Sequence, residues 1–145
     1  MRRLFDMKTT SFLTLLVSFL IIAVATGAPS QLVHIFDTQF DAPGDDKVNL
    51  NGEWVKITNG GTSPISMSCW TLSDEGNKHL YRFPIFTLDA GASVKVCTGS
   101  GTDTATELYF GQSLPVWNND GDTATLADSN GSAVAWWSNR QHSNA

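Results

Sequence analysis

Beyond residue 28 no window of this chain repeats apolar residues at the three-and-four spacing of a helix. Short alternating or apolar runs recur instead between clusters of Gly, Asn, Asp, Ser and Pro. Alternation at period two places successive side chains on opposite faces, so each run reads as a strand and each cluster as a turn. The expected strands are Leu32 to Phe36, Glu53 to Thr58, Ile65 to Ser73, Leu80 to Phe83, Phe86 to Leu88, Ala92 to Thr98, Leu108 to Phe110, Thr123 to Ala127 and Ala133 to Trp137. Eight or nine strands in this length predict an all-β, two-sheet sandwich.

The alternation also predicts sides. Val55 and Ile57 face inward, with Trp54, Lys56 and Thr58 on the other face. Val94 with Val96, and Ala124 with Leu126, are further inward pairs. Ile65 to Ser73 changes phase: Ile65 and Met67 share one parity, Trp70 and Leu72 the other. A bulge near Ser68 or Cys69 reconciles them.

The first 28 residues belong to a different class. Met1 to Lys8 is basic, Phe12 to Ala25 is apolar, and Ala23 to Ala28 offers small residues for cleavage after Ala25 or Ala28. That order describes a secretory signal peptide, and the apolar run is short for a bilayer span. The alternative is an uncleaved anchor holding the domain outside the membrane. Arg2-Arg3-Leu4-Phe5 leaves twin-arginine export open beside general secretion. Residues 1–28 are therefore expected to leave, giving a secreted domain at 29–145 with no membrane attachment.

Formal net charge is −5 for the whole chain. Residues 1–28 hold Arg2, Arg3, Lys8 and Asp6, which leaves six Lys and Arg against thirteen Asp and Glu beyond them, a net of −7. This acidity argues against nucleic-acid binding by bulk charge, which needs clustered cations. Export changes the meaning of Cys69 and Cys97. In an oxidising compartment a lone pair is most simply one disulfide, and two buried free thiols are the alternative. By parity Cys97 lies with Ser93 and Lys95 on the outer face, so such a bridge would be a surface staple.

Glu53-Trp54-Val55-Lys56-Ile57-Thr58-Asn59, Cys69-Trp70-Thr71-Leu72, Tyr81-Arg82-Phe83-Pro84, Phe86-Thr87-Leu88 and Ala90-Gly91 together resemble the lamin tail domain family. Thr98-Gly99-Ser100-Gly101, Trp117-Asn118 and Gly121 to Leu126 extend the likeness across about residues 32–138. The resemblance implies an immunoglobulin-like β-sandwich. In nuclear lamins it is a binding module without catalysis. Similar versions occur in exported prokaryotic proteins, often beside extracellular nucleases, phosphatases or other hydrolases. No such enzyme domain accompanies it within these residues, and Cys69 stands where a small residue is common.

The chemistry-bearing residues each admit a plainer structural role. Asn118-Asn119-Asp120-Gly121-Asp122 clusters oxygens around a Gly turn, and Asp128 follows on the next hairpin. Asp120, Asp122 and Asp128 are thus the candidate calcium ligands, although turn chemistry alone also favours these residue types. Asp41, Asp45 and Asp46 form a second acidic loop with the same two readings. His34, His79 and His142 fall on a strand, in a turn and in the tail, and no triad or metal-ligand spacing is present. Glu53 reads as an exposed strand residue, with a shielded acid of raised pKa as the alternative. Arg82 is expected to pair with a cross-strand acid.

Five Trp are many for one small domain. Trp70 and one of Trp136 and Trp137 are expected in the core, since consecutive strand residues face opposite sides. Trp54, Trp136 and Trp137 are the candidate binding residues. The expected function is a secreted, non-catalytic binding or tethering module with no cofactor and a protein partner. The alternatives are a carbohydrate or cell-envelope module using exposed Trp against a cell-surface glycan, or an accessory to an extracellular hydrolase or nuclease. The sequence leaves the oligomeric state open.

Overall fold

The computed structural model describes residues 32–140. The expected signal peptide and His142 lie outside them. Ten strands follow in order: β1 (Val33–Gln39), β2 (Trp54–Asn59), β3 (Ile65–Ser66), β4 (Thr71–Ser73), β5 (Leu80–Arg82), β6 (Thr87–Leu88), β7 (Ser93–Cys97), β8 (Glu107–Tyr109), β9 (Thr123–Ala127) and β10 (Ala133–Ser138). Only two short 3₁₀ turns, Leu50–Gly52 and Glu75–Asn77, interrupt the β structure among the described residues. No helix among them is long and apolar enough to cross a membrane.

The strands form two four-stranded sheets in the orders β1-β2-β7-β8 and β10-β9-β4-β5, with β3-β6 as a small third pair. All pairings are antiparallel except β7 with β8, which the Gly99 to Thr106 loop returns in parallel. The inward residues are those that the alternation assigns. Val55, Ile57, Val94 and Val96 of one sheet meet Leu72, Ala124 and Leu126 of the other, and all are buried. Burying each aliphatic side chain is worth about 1.5–3 kcal/mol, which selects this register over a one-residue slip.

Ile65 to Ser73 is not one bulged strand. It breaks into β3 and β4, which belong to different sheets. Cys69 sits at φ 65, and Trp70 N–H donates to the Met67 carbonyl across the turn. The left-handed residue changes the phase, so Met67, Trp70 and Leu72 are all buried.

The core tryptophans are Trp70 and Trp117; neither Trp136 nor Trp137 is one of them. Trp117 is 3% exposed and stacks on Phe40, ring centroids 4.7 Å apart. β10 lies at the edge of its sheet, beside β9 and against β1 of the facing sheet, and both of its indoles stay accessible.

The expected Cys69–Cys97 disulfide is absent: both thiols are free, Cys69 exposed and Cys97 buried. Cys69 lies beside β4 and β5, where its N–H donates to the Phe83 carbonyl, while Cys97 ends β7 in the opposite sheet. Packed sheets stand about 10 Å apart, beyond the Cα separation that a disulfide spans. Cys97 is on the outer face as its parity requires. It is nevertheless covered, because its register neighbours are Trp54 and Tyr109.

Candidate functional site

The outer face of the β1-β2-β7-β8 sheet carries Trp54. Its ring is half-buried, with the Lys95 Nζ 4.2 Å from the ring centroid. Lys56 lies over Phe36 in the same way at 4.8 Å. Each contact is worth about 0.5–1 kcal/mol at an exposed site. Trp54 therefore presents a capped face, not a free one. Trp136 and Trp137 lie on the other sheet, so the structure does not gather the three candidate tryptophans into one site.

β10 is different. Trp136 pairs with Thr125 on β9 and points outward, 71% exposed. Trp137 pairs with the buried Ala124 and points toward the sandwich interior, yet is still 37% exposed. At an interior strand Trp137 would be covered from both sides. Here it has one flanking strand, β9, and β1 lies against β10 from the facing sheet. Two adjacent indoles thus project from one edge, one on each side of the strand.

The three candidate calcium ligands are not brought together. Asp122 precedes β9 and Asp128 follows it, so about 20 Å of extended chain separates them. Asp122 is buried and its oxygens accept backbone N–H groups: Oδ1 from Glu75 at 2.9 Å and Thr123 at 2.7 Å, Oδ2 from Asn118 at 3.0 Å. Asp128 Oδ1 accepts from Asn130 and Ser132 at 2.9 Å and shapes its hairpin. Asp120 is exposed. Among the described residues no three His, Cys, Asp or Glu side chains form a set able to hold a metal ion. The acidic residues act as turn and loop anchors.

The two acidic loops do meet, through a contact that spacing does not reveal. The Asn119 side-chain amide donates to Asp41 at 3.0 Å and to Asp46 at 2.6 Å. Asp74 is also buried. It accepts from the His79 N–H and lies 2.8 Å from His79 Nδ1. The cleft beside this pair, about 200 Å³, is lined by Asp122, Trp117 and Arg140, and among the described residues holds no Ser, Thr or Cys that a His–Asp pair would activate.

Glu53 departs from the exposed reading: it is 0% exposed. Its Oε2 accepts the Val116 N–H at 3.1 Å. Burial raises its pKa above the ordinary carboxylate value; the Val116 bond opposes the rise, and the charge of Asp46 adds to it. Burial likewise lifts the Cys97 thiol, with Glu107 raising it further and Lys95 opposing. The Tyr81 hydroxyl is pushed up to about 12, chiefly by burial and then by Asp103. Among the described residues Arg82 has no cross-strand acid: its register partner is Thr71, and Nη1 donates to the Cys69 carbonyl at 3.4 Å. The sequence reading missed that β10 ends its sheet, because edge position depends on strand order.

A search of the curated proteins returns no match. Residues 27–140 match the family model of the Lamin Tail Domain. That family consists of immunoglobulin-like domains, generally protein-interaction modules and not enzymes. The match spans all of the described residues, and the chain belongs to the lamin tail domain family.

Proposed function

We propose that this chain is an exported, non-catalytic module that binds a protein partner, with Trp136 and Trp137 on β10 as its anchors. The observation that carries the reading is the 71% exposure of Trp136 on a sheet edge. A large exposed indole loses favourable burial in the free molecule and regains it against a partner, which is why Trp is enriched at interface hot spots. Export is supported by the basic and apolar order of residues 1–28. A glycan partner has less support. A sugar platform needs free, coplanar rings, and Trp54 is capped by Lys95 on the opposite sheet.

The test is affinity capture from the native exported fraction, wild type against Trp136→Ser. Eluates are divided between protease and glycosidase treatment. Loss of about 2 kcal/mol, roughly thirtyfold in Kd, is expected for the variant, with the captured species sensitive to protease. Equal capture by both proteins, or a partner sensitive only to glycosidase, overturns the reading.

A further inference from the structure

We propose that Asn130, at the tip of the hairpin joining β9 to β10, is an acceptor site for an N-linked glycan. The proposal rests on the export reading above, because this modification belongs to secreted chains.

The first observation is in the sequence. An asparagine is selected for N-glycosylation when Ser or Thr stands two residues after it and the residue between is not Pro. The chain has nine asparagines, and within these residues only Asn130, in Asn130-Gly131-Ser132, meets the rule. So short a pattern also arises by chance, and its place in the fold decides whether it can act.

That place is open. Ser129, Asn130, Gly131, Ser132 and Ala133 are all exposed. A Cβ at Gly131 would meet no atom within 4 Å. A sugar attached at this tip projects into water and displaces no packed group.

The fold also leaves the two reactive side chains unused. The hairpin is closed by backbone bonds, from the Gly131 N–H to the Asp128 carbonyl at 3.0 Å and from the Asp128 N–H to the Ser132 carbonyl at 2.9 Å. The Asp128 carboxylate holds the Asn130 and Ser132 N–H groups. Gly131 takes the left-handed conformation, φ 81, and Asn130 does not, so Asn130 occupies an ordinary turn position that most residues can fill. The turn therefore requires Asp128 and Gly131, and it draws on neither the Asn130 amide nor the Ser132 hydroxyl. Elsewhere the asparagine amides serve the fold. Asn49 donates to the Pro43 carbonyl, Asn51 to the Ser100 carbonyl, and buried Asn59 to the carbonyls of Ser63, Leu88 and Asp89. At Asn130 an exposed amide and an exposed hydroxyl stand instead at the spacing that a transferase engages.

In the reaction the Asn130 Nδ2 bonds to the anomeric carbon of an oligosaccharide carried on a lipid pyrophosphate. The bond from that carbon to the pyrophosphate oxygen breaks, the lipid pyrophosphate leaves with the electron pair, and the amide nitrogen gives up one proton. A membrane transferase supplies the catalysis, and this chain is the acceptor.

The test translates the full chain in a cell-free extract with microsomal vesicles that carry the transferase and its lipid-linked donor. Chain protected from external protease is recovered, and its intact mass is measured with and without an amidase that cleaves the glycan from asparagine. The wild type is expected to carry one glycan, removed by the amidase. Asn130→Gln and Ser132→Ala should carry none, and Ser132→Thr, which keeps the hydroxyl, should carry it still. All of these changes fall on exposed turn residues. Protected wild-type chain of unmodified mass, or a glycan that persists in Asn130→Gln or Ser132→Ala, overturns the proposal while the export reading stands. Chain wholly digested by the external protease overturns the export reading, and the proposal falls with it.

Discussion

Val116 and Glu53, 63 positions apart in sequence, are tied in the interior by a hydrogen bond from the Val116 N–H to Glu53 Oε2. The carboxyl is fully buried, and among the described residues its Oε1 has no hydrogen-bond partner, although the nearby Thr98 side chain eases its charge. A buried carboxylate without a cation is costly, and the raised pKa expresses that cost.

The sign of the pH dependence follows. A carboxyl with a folded pKa above its unfolded value binds protons more readily in the native state, so its contribution to stability falls as pH rises above about 4.5. Denaturant melts from about pH 4 to about pH 8 should show a declining component in the wild type that is absent from Glu53→Gln. The amide keeps an oxygen for the Val116 N–H. Glu53→Ala removes it and should cost about 2–4 kcal/mol at either end of the range. An identical pH profile for wild type and Glu53→Gln contradicts this account.

The thiols should differ sharply in reactivity. Cys69 is exposed and should be modified by a thiol reagent in the native protein. Cys97, covered by Trp54 and Tyr109 with a raised pKa, should react only on unfolding. Intact mass after native alkylation should show one adduct. Treatment with a reductant should leave the melting temperature unchanged.

Asp122 anchors three backbone N–H groups, that of Glu75 from a distant loop and those of Asn118 and Thr123 from its own turn. Asp122→Ala should destabilise by about 2–3 kcal/mol, measured by chemical denaturation, because those donors lose their acceptor in a buried place. Asp120→Ala, at an exposed position, should fall within about 0.5 kcal/mol of wild type. If Asp120, Asp122 and Asp128 shared a calcium ion, the ion would raise the melting temperature and both variants would abolish the rise; no rise is expected, given their separation.

The tryptophans should divide by location. Trp117→Ala removes a stacked core ring and should cost about 3–5 kcal/mol. Trp136→Ser should change stability by no more than about 0.5 kcal/mol, since its indole is mostly in water. Equal losses in thermal or denaturant melts would remove the distinction between core and surface on which the proposed binding site rests.

Local pattern made much of this protein legible. Residue-by-residue alternation is an interaction between neighbours in sequence, so β2, β7 and β9 and their inward residues Val55, Ile57, Val94, Val96, Ala124 and Leu126 could be read before any sheet was assembled. The phase change between Met67 and Trp70 was likewise visible, although it proved to be a left-handed turn between two sheets. Side assignment was correct even for Cys97; its burial was hidden because Trp54 and Tyr109 come from strands distant in sequence.

The chain's own order of apolar and turn residues determined that it would be a β-sandwich and which side chains would fill it, because both depend on the geometry of a few consecutive peptide units. Strand order decided the rest. It left β10 at an edge with two accessible indoles, kept Cys69 and Cys97 apart, and joined Asn119 to Asp41 and Asp46. These are relations among segments tens of residues apart, and they come into being only when the sheets assemble and the loops between them meet.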